Sequence, residues 1–258
     1  MLRELFYVML FGVILFGAAL SAQEGIPPGT ILPVELNSAL RSDKMHAGEV
    51  VKGRIMQDVP LEGQPKIHAG AKIIGKVVDV TSGDRAEIAL RFDTLKTRNR
   101  RIALTTDLRA LATAMDVEDA LIPTSGPDRG TSEADWVTEQ IGGETVYHGS
   151  VVTRGSEVVG NYVSGGVLVR VSAEPQHGCR SDAGDRGRPQ ALWVFSSDAC
   201  GLYHLHNLKL EHAGRTDPVG EIRLQTAKGP VNVPSGSGML LRVLPARQVR
   251  SVDRAKQN

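Results

Sequence analysis

Short apolar runs recur along most of the chain, and Gly, Pro, Asn or Asp bounds them. Short runs between turn-forming residues are typical of β-strands rather than of long helices. Between two of these runs, the pair Gly142-Gly143 is typical of a two-residue hairpin turn. The runs predict strands over residues 30–36, 50–59, 72–81, 86–94, 101–108, 136–141, 144–148, 166–173, 191–196, 203–210, 220–225 and 239–244.

One segment departs from this pattern. Its apolar residues fall close to the spacing of one helix face, and they are Leu108, Leu111, Ala112, Met115 and Leu121. We therefore predict one helix over residues 109–121. Residues 122–135 hold Pro, Gly, Ser and acidic residues and are typical of a linker.

A turn motif occurs four times. Each copy has an aliphatic residue, two turn-compatible residues, Gly and a small residue, and an apolar run comes after it. The four glycines are Gly29, Gly70, Gly155 and Gly236. Glycine supplies the positive φ of a type II turn, and we expect the aliphatic residue to anchor each turn on the core. Generic β-turns are the alternative explanation of the repeat.

These elements predict an all-β protein: a small β-barrel or sandwich with a β-rich insertion or a second β domain, and one short helix. The expected parts are a barrel-like domain over 26–110, the helix and linker over 111–135, a second β-rich half over 136–245 and a basic tail over 246–258. In a one-unit version, the final strand over 239–244 pairs near strand 30–36 and closes the first barrel. In the other version the halves are two small barrels.

The first 22 residues have the three parts of a secretory signal peptide. A short start with Arg3 leads into an uncharged run over residues 5–20, and small residues follow. This run spans roughly 24 Å as a helix, which is less than the ~30 Å of a bilayer core. We expect cleavage near Ser21 or Ala22 and an exported protein, periplasmic or extracellular. A retained N-terminal anchor is the rival interpretation.

Composition narrows the function classes. The 258 residues hold 30 Lys and Arg against 29 Asp and Glu, and this near-neutral balance argues against a dedicated nucleic-acid binder. Four of the 11 aromatic residues lie in the first 16 positions, which leaves too few for a platform that stacks sugars or bases. Basic clusters at 96–101 and 247–256 are typical of solvated turns and tails, with weak contact to an anionic surface as the alternative.

Two cysteines, Cys179 and Cys200, are expected to form a disulfide in an oxidising compartment. The bridge would close a loop of about 22 residues and stabilise the fold by roughly 3 kcal/mol. Residues 180–188 inside this loop are rich in Gly, Asp and Arg and have little to bury. We therefore predict a structural clamp, since a redox pair more often has the spacing C-x-x-C.

Candidate chemistry is limited to one histidine cluster. His204 and His206 would share one face of a strand, because side chains alternate along it. With His212 nearby in sequence, they are candidate ligands for zinc or copper. Polar surface is the simpler explanation, so our first expectation is that the protein has no cofactor and no catalytic residues. A serine nucleophile is not indicated either, because the segment 234–238 lacks the first Gly of the G-x-S-x-G motif.

The front of the chain supports a family resemblance. Gly29-Thr30 opens a strand, Ser42-Asp43 follows, and the turn at Gly70 leads into a long hairpin that ends near Leu95. This order resembles the C-terminal β-barrel domain of TrbI-like proteins of conjugation and type IV secretion channels. That family's barrel closes with a strand similar to residues 229–243.

The resemblance implies a barrel within an envelope assembly. In the family an inner-membrane helix and a long proline-rich stretch precede the barrel, whereas here the expected signal peptide leads straight into it. The family's barrel also contains an inserted helical segment, called the antenna, that helps to cross the outer membrane. The helix predicted here is too short and too charged for that role, so pore formation is not implied. The middle of the chain resembles uncharacterised exported bacterial proteins around residues 191–203.

Taken together, these features predict an exported, non-enzymatic envelope protein that acts as a binding or scaffolding component of a secretion-channel-like assembly. Its expected partners are other envelope proteins or further copies of itself. The alternative is a metal-dependent hydrolase that uses His204, His206 and His212.

Overall fold

The computed structural model describes residues 25–122, 135–172 and 187–245. Within these ranges the protein is almost entirely β, with 20 strands and one short helix, so the all-β prediction is confirmed. The expected signal peptide, most of the expected linker, Cys179 and the basic tail lie outside the described residues.

Ten strands form one sheet that curls into a nearly closed barrel. They are β1 (Ile31–Leu36), β3 (Val50–Ile55), β6 (Lys72–Thr81), β7 (Glu87–Lys96), β8 (Arg101–Ala103), β9 (Thr106–Ala112), β16 (Gly201–Tyr203), β17 (Leu208–Ala213), β18 (Ile222–Thr226) and β20 (Gly238–Val243). Their order around the barrel is β16-β9-β20-β1-β3-β6-β7-β18-β17, and β8 pairs with β7.

Six further strands form a second, antiparallel sheet in simple chain order. They are β10 (Asp135–Gln140), β11 (Gly143–His148), β12 (Val151–Arg154), β13 (Glu157–Val163), β14 (Gly166–Arg170) and β15 (Pro189–Trp193). Two small pairs complete the fold, β2 (Leu40–Arg41) with β19 (Asn232–Val233) and β4 (Val59–Leu61) with β5 (Gln64–Ile67). The second sheet is an insertion, because β10 to β15 lie between barrel strands β9 and β16 in the chain.

The last strand completes the barrel wall. β20 pairs antiparallel with β1, from Ile31 opposite Arg242 to Glu35 opposite Gly238, and its other edge pairs with β9. This is the pairing that the one-unit version requires. Aliphatic side chains from these and the other barrel strands, such as Leu32 and Leu241, pack into one buried core inside the barrel.

The second sheet packs on the outside of that wall. Ile31, Ala110 and Leu240 point away from the barrel core and join a second apolar cluster with Trp193 and Phe195 of the insertion. Strands β9 and β20 are consequently buried along their whole length. Strands covered on both faces lose the alternation of apolar and polar residues that marks a half-exposed strand.

This two-sided burial explains why the helix prediction over 109–121 is wrong at its start. The chain stays a strand through Ala112, and helix α1 covers only Ala114–Ala120. The four apolar residues of β9, which are Leu108, Ala110, Leu111 and Ala112, also fit helical spacing, so periodicity alone could not separate the two. The helix begins at a capping box, in which Thr113 and Asp116 each accept a hydrogen bond from the other's backbone N–H.

The four turn glycines all have positive φ, namely 82° at Gly29, 85° at Gly70, 56° at Gly155 and 83° at Gly236. The aliphatic residues that open the four motifs are buried, and they are Ile26, Ile67, Val152 and Val233. The repeat therefore marks turns whose first residue is fixed in one of the two cores.

None of the helices among the described residues combines the length and apolar character that a membrane crossing requires.

Candidate binding cavity

The histidine pair lies in a turn rather than on a strand face. β16 ends at Tyr203, and His204 follows it with a φ of +47°. The ring centroids of His204 and His206 are 5.8 Å apart, and the angle between the two ring planes is 73°. The alternation expected along a strand does not apply, because the backbone turns at His204.

Helix α1 supplies the partner of His204. Its Nδ1 shares a short hydrogen bond with the carboxylate of Asp116, and this bond and the negative charge raise the pKa of His204. Burial acts to raise the pKa of Asp116, but hydrogen bonds from Thr113 and His204 outweigh it and lower that pKa. The pair ties the start of the helix to the turn between β16 and β17.

The third candidate ligand, His212, is engaged elsewhere. Its Nδ1 lies 2.6 Å from the carbonyl oxygen of Glu221, and its Nε2 lies 2.9 Å from the hydroxyl of Thr216. Among the described residues, no group of three or more His, Cys, Asp or Glu side chains is placed to hold a metal ion. A zinc or copper site formed by the three histidines stays a prediction.

The cysteine pairing also stays a prediction, because Cys179 lies outside the described residues. Cys200 is buried, and its backbone N–H donates to the hydroxyl of Tyr203 at 2.8 Å. Burial raises the pKa of that tyrosine. A mass measurement that finds two free thiols in the native protein would contradict the disulfide.

A polar cavity of about 150 Å³ lies in the inserted sheet. It is bounded by the β10–β11 hairpin at Gly142-Gly143, by strands β12 to β14, and by the turn at Ser196–Asp198 that follows β15. Its floor is apolar, because Val152, Val159 and Val169 belong to the second core.

The hairpin packs closely against this turn because its two central residues are glycines and have no side chains. A Cβ at Gly142 would lie 2.8 Å from the Cα of Ala199, and one at Gly143 would lie 3.5 Å from the Oγ of Ser196. The backbone N–H of Ser196 donates to the carbonyl of Ile141 at 3.0 Å and holds the turn against the hairpin. The glycine pair that predicts a hairpin thus also shapes one wall of the cavity.

The Ser196 hydroxyl is the unusual group of the cavity. The residue is only 5% exposed, and its Oγ has no hydrogen-bond partner among the described residues. A buried polar group without a partner costs roughly 1–3 kcal/mol, so native proteins keep few of them. The oxygen atom is itself buried, so it is shielded from a molecule that enters the cavity.

An ion pair forms the polar side of the cavity. Nη1 of Arg154 lies 3.1 Å from a carboxylate oxygen of Asp198, and Nη2 lies 2.8 Å from one of Glu157. Nη2 of Arg170 reaches the other oxygen of Glu157 at 3.5 Å. Of these four residues, Arg154 and Asp198 line the cavity, and Glu157 and Arg170 extend the ionic network outside its lining.

Sequence reasoning missed Ser196, Arg154 and Asp198. The only local signal was a polar triplet, Ser196-Ser197-Asp198, directly after the apolar run that ends at Phe195. Arg154 lies 44 residues before Asp198, and no local pattern connects the two.

A buried charge cluster lies outside the cavity, on the wall of the barrel. Asp107 of β9 is fully buried directly opposite Arg242 of β20, whose Nε lies 3.2 Å from its carboxylate. Arg215, from the loop after β17, approaches the same carboxylate with its Nε at 2.9 Å. Asp107 thus connects two arginines from distant parts of the chain.

A second ionic network links strands β7 and β18. Glu221 is buried, and it accepts hydrogen bonds from Arg91 at 2.9 Å and from Nε of Arg223 at 2.9 Å. Arg223 also reaches Glu87 at 2.6 Å. Burial acts to raise the pKa of Glu221, but the hydrogen bonds from both arginines outweigh it and lower that pKa.

Comparison with known proteins adds no relatives: no protein-family model, curated protein or solved structure matches this chain. The resemblance to TrbI-like barrels therefore stays a hypothesis, supported by the residues that suggest it.

Proposed function

We propose that this protein is an exported, non-enzymatic component of the bacterial envelope, in which the barrel is the scaffold and the inserted sheet carries a binding site. The observation that carries the proposal is the cavity in the inserted sheet, which has an apolar floor of three buried valines and polar residues around it. The ion pair of Arg154 and Asp198 adds polar groups to the same cavity.

The scaffolding role draws support from the barrel wall. Since β9 and β20 are buried on both faces, the inserted sheet packs on the barrel through a shared apolar cluster. The interior of the barrel is filled by aliphatic side chains. Such a barrel is suited to holding other elements in place, and a ligand or partner would bind on its outer surface or on the inserted sheet.

The assembly role draws support from the position of the last strand. β20 lies between β1 and β9, which is the closing place that the resemblance to TrbI-like barrels implies. We extend the proposal to a place in a secretion-channel-like assembly of envelope proteins or of copies of this chain.

The test is the molar mass of the native protein, purified from the envelope under mild conditions and measured by light scattering on a sizing column. We expect a ring-sized oligomer or a stable complex with other envelope proteins. A monomer, which for the full chain would be 27.7 kDa, would refute the assembly role. N-terminal sequencing of the same sample tests export, and the expected first residue is Ala22 or Gln23. An intact Met1 would contradict signal-peptide cleavage.

A further inference from the structure

We propose that a row of cations on the outer face of the barrel binds the surface of an anionic lipid bilayer. The row crosses four neighbouring strands, and we call it the basic row: Arg54, Lys72, Lys96 and Arg101. The proposal rests on the proposed function only in that an exported envelope protein meets lipid surfaces. Strand register, exposure and the distribution of counter-charges carry the inference.

Strand register places the four cations side by side. Arg54 of β3 lies directly opposite Lys72 of β6, and Lys72 lies opposite Lys96 of β7. Lys96 lies in turn opposite Arg101 of β8. Residues directly opposite each other share one face of a sheet, and neighbouring strands lie about 4.8 Å apart. The four side chains therefore leave the sheet along a line of about 14 Å.

The basic row points to solvent, since all four of its residues are exposed. The neighbour of each cation in its strand packs in or against the barrel core, and these neighbours are Ile55, Ile73, Leu95 and Ile102. Side chains alternate along a strand, so the row lies on the outer face of the sheet. Because this sheet curls into a barrel, its outer face is convex.

Counter-charge meets only one end of the basic row. Glu35 of β1 lies opposite Arg54, and its carboxylate lies 3.0 Å from that guanidinium. Within the part of the chain that the structure describes, Lys72, Lys96 and Arg101 form no ion pair with a carboxylate. Like charges directly opposite each other destabilise a sheet. An anionic surface over the row would relieve this repulsion.

The same face carries further charge close to the basic row. Within four residues of the row on the same strands, Lys52 and Lys76 add two exposed cations, and Asp93 adds one exposed carboxylate. This part of the face is therefore positive overall, and a positive face attracts an anionic surface over a distance of about one Debye length.

A nucleic acid fits this face less well than a bilayer does. Single-stranded nucleic acids stack their bases on aromatic side chains, whereas the one aromatic residue of these four strands, Phe92, is 1% exposed. The net charge of +1 is also unlike that of a dedicated nucleic-acid binder. A convex face encloses little of a polymer chain, while the mobile lipids of a bilayer can gather beneath exposed cations.

We expect attraction through charge without insertion into the bilayer. The large exposed apolar side chains of these strands are two valines, Val50 and Val78, whereas inserting segments present Trp, Phe or Leu. Each Lys or Arg near an anionic bilayer strengthens binding about fivefold. Salt should reverse such binding, because it shortens the distance over which charges attract.

The experiment is cosedimentation of the mature protein with vesicles of equal parts phosphatidylglycerol and phosphatidylcholine, compared with vesicles of phosphatidylcholine alone. We expect binding to the anionic vesicles only. Raising the salt from about 0.1 M to about 1 M shortens the Debye length from about 10 Å to about 3 Å and should weaken binding at least about tenfold. No binding, equal binding to both kinds of vesicle, or binding that survives salt would overturn the proposal.

A matched pair of variants locates the site. Lys72→Gln with Lys96→Gln removes the centre of the basic row and should weaken vesicle binding about 25-fold. Lys209→Gln with Lys228→Gln removes the same charge elsewhere and should leave binding unchanged. Lys209 is aligned through β18 with Glu87, and Glu87 and Lys96 are the two ends of β7.

Equal losses in the two variants would show that overall charge, and not the basic row, holds the protein on the vesicle. If the basic tail over 246–258 carries the binding instead, the basic-row variant will bind as the wild type does. Either result would refute the proposal. The vesicle and salt comparisons use the unmodified protein and stand even if a variant fails to fold.

Soluble polyanions test the competing partner. A single-stranded DNA oligonucleotide and heparin are titrated into the wild type and the basic-row variant. If either polymer binds through the row while the anionic vesicles do not, the partner is a polymer and the proposal is wrong.

The outcome is separable from that of the proposed function. If the vesicles do not bind while the molar mass shows an assembly, the lipid-binding proposal fails and the scaffolding role stands. If anionic vesicles bind a protein that is monomeric, the assembly role fails and the lipid-binding proposal stands.

Discussion

Replacing Asp107 by Ala would test whether charge is essential within the apolar wall of the barrel. Asp107 is fully buried, and the guanidinium of Arg242, which is 1% exposed, lies directly across the β9–β20 pair from it. The substitution removes the carboxylate that faces Arg242 and Arg215 and leaves both cations in place.

The expected cost follows from the burial of Arg242. Removing one partner of a buried ion pair costs about 3–5 kcal/mol, because the remaining charge stays out of water without its counter-charge. In a domain of this size, each kcal/mol lowers the melting temperature by roughly 2–4 °C. We therefore expect a decrease in melting temperature of about 6–20 °C.

The assay is urea denaturation followed by far-ultraviolet circular dichroism, with thermal melting as a second measure. Glu35→Ala is a matched control, because Glu35 and Arg54 are also an Arg–carboxylate pair directly opposite each other in neighbouring barrel strands. That pair is partly exposed, with the Arg54 side chain 49% exposed, so its loss is expected to cost at most about 1 kcal/mol.

If Asp107→Ala and Glu35→Ala both lowered the free energy of unfolding by the same small amount, the reasoning would be refuted, since burial would then not determine the loss. A double variant, Asp107→Leu with Arg242→Met, sharpens the test. Apolar residues of similar volume often replace a buried ion pair without loss. We expect the double variant to be more stable than Asp107→Ala alone, and a double variant that is less stable would contradict the argument.

Three further predictions concern pH and turns. Because folding lowers the pKa of Glu221, its contribution to stability is present above its unfolded pKa of about 4.5 and is lost as the pH falls through the folded value. The stability difference between wild type and Glu221→Gln, from urea midpoints, should therefore shrink with acidification. Folding raises the pKa of His204, so its stabilisation is lost as the pH rises through the folded value. In Asp116→Asn this pKa should fall towards the ordinary histidine value, and an unchanged NMR titration would contradict that. At Gly70 a Cβ would touch no atom of the described residues within 4 Å, so Gly70→Ala should cost about 1–2 kcal/mol of unfolding free energy through its positive φ alone. Gly70→Asn should cost less, and equal midpoints for all three proteins would refute the turn assignment.

Much of the secondary structure was predictable because local patterns encode it. The strand predicted over 72–81 has the bounds of β6, Lys72–Thr81, since its apolar residues lie between Gly70 and the turn at Gly83. The predicted strands omit β12 and β13, although the turn motif at Gly155 places an apolar run after it, because Glu157, Asn161 and other exposed polar residues interrupt the pattern. The false start of the helix in β9 arose because that strand is covered on both faces.

The candidate cavity was not predictable, because its groups are distant in sequence and ordinary when taken singly. Arg154 in a strand and Ser196 in a turn are common surface residues until the meander of β12 to β15 brings them together. Asp107 and Arg242 are similar in this respect, since 135 residues separate them.

The sequence by itself determined that the chain folds as short strands joined by glycine turns, because periodicity and turn chemistry act over a few neighbouring residues. Only the tertiary structure decided that β20 lies between β1 and β9, that the inserted sheet covers this wall, and that a polar cavity forms beside Ser196. The physical reason is that strand order and two-sided burial depend on contacts between distant segments. Those contacts are selected by packing the whole apolar surface at once, and no local pattern specifies them.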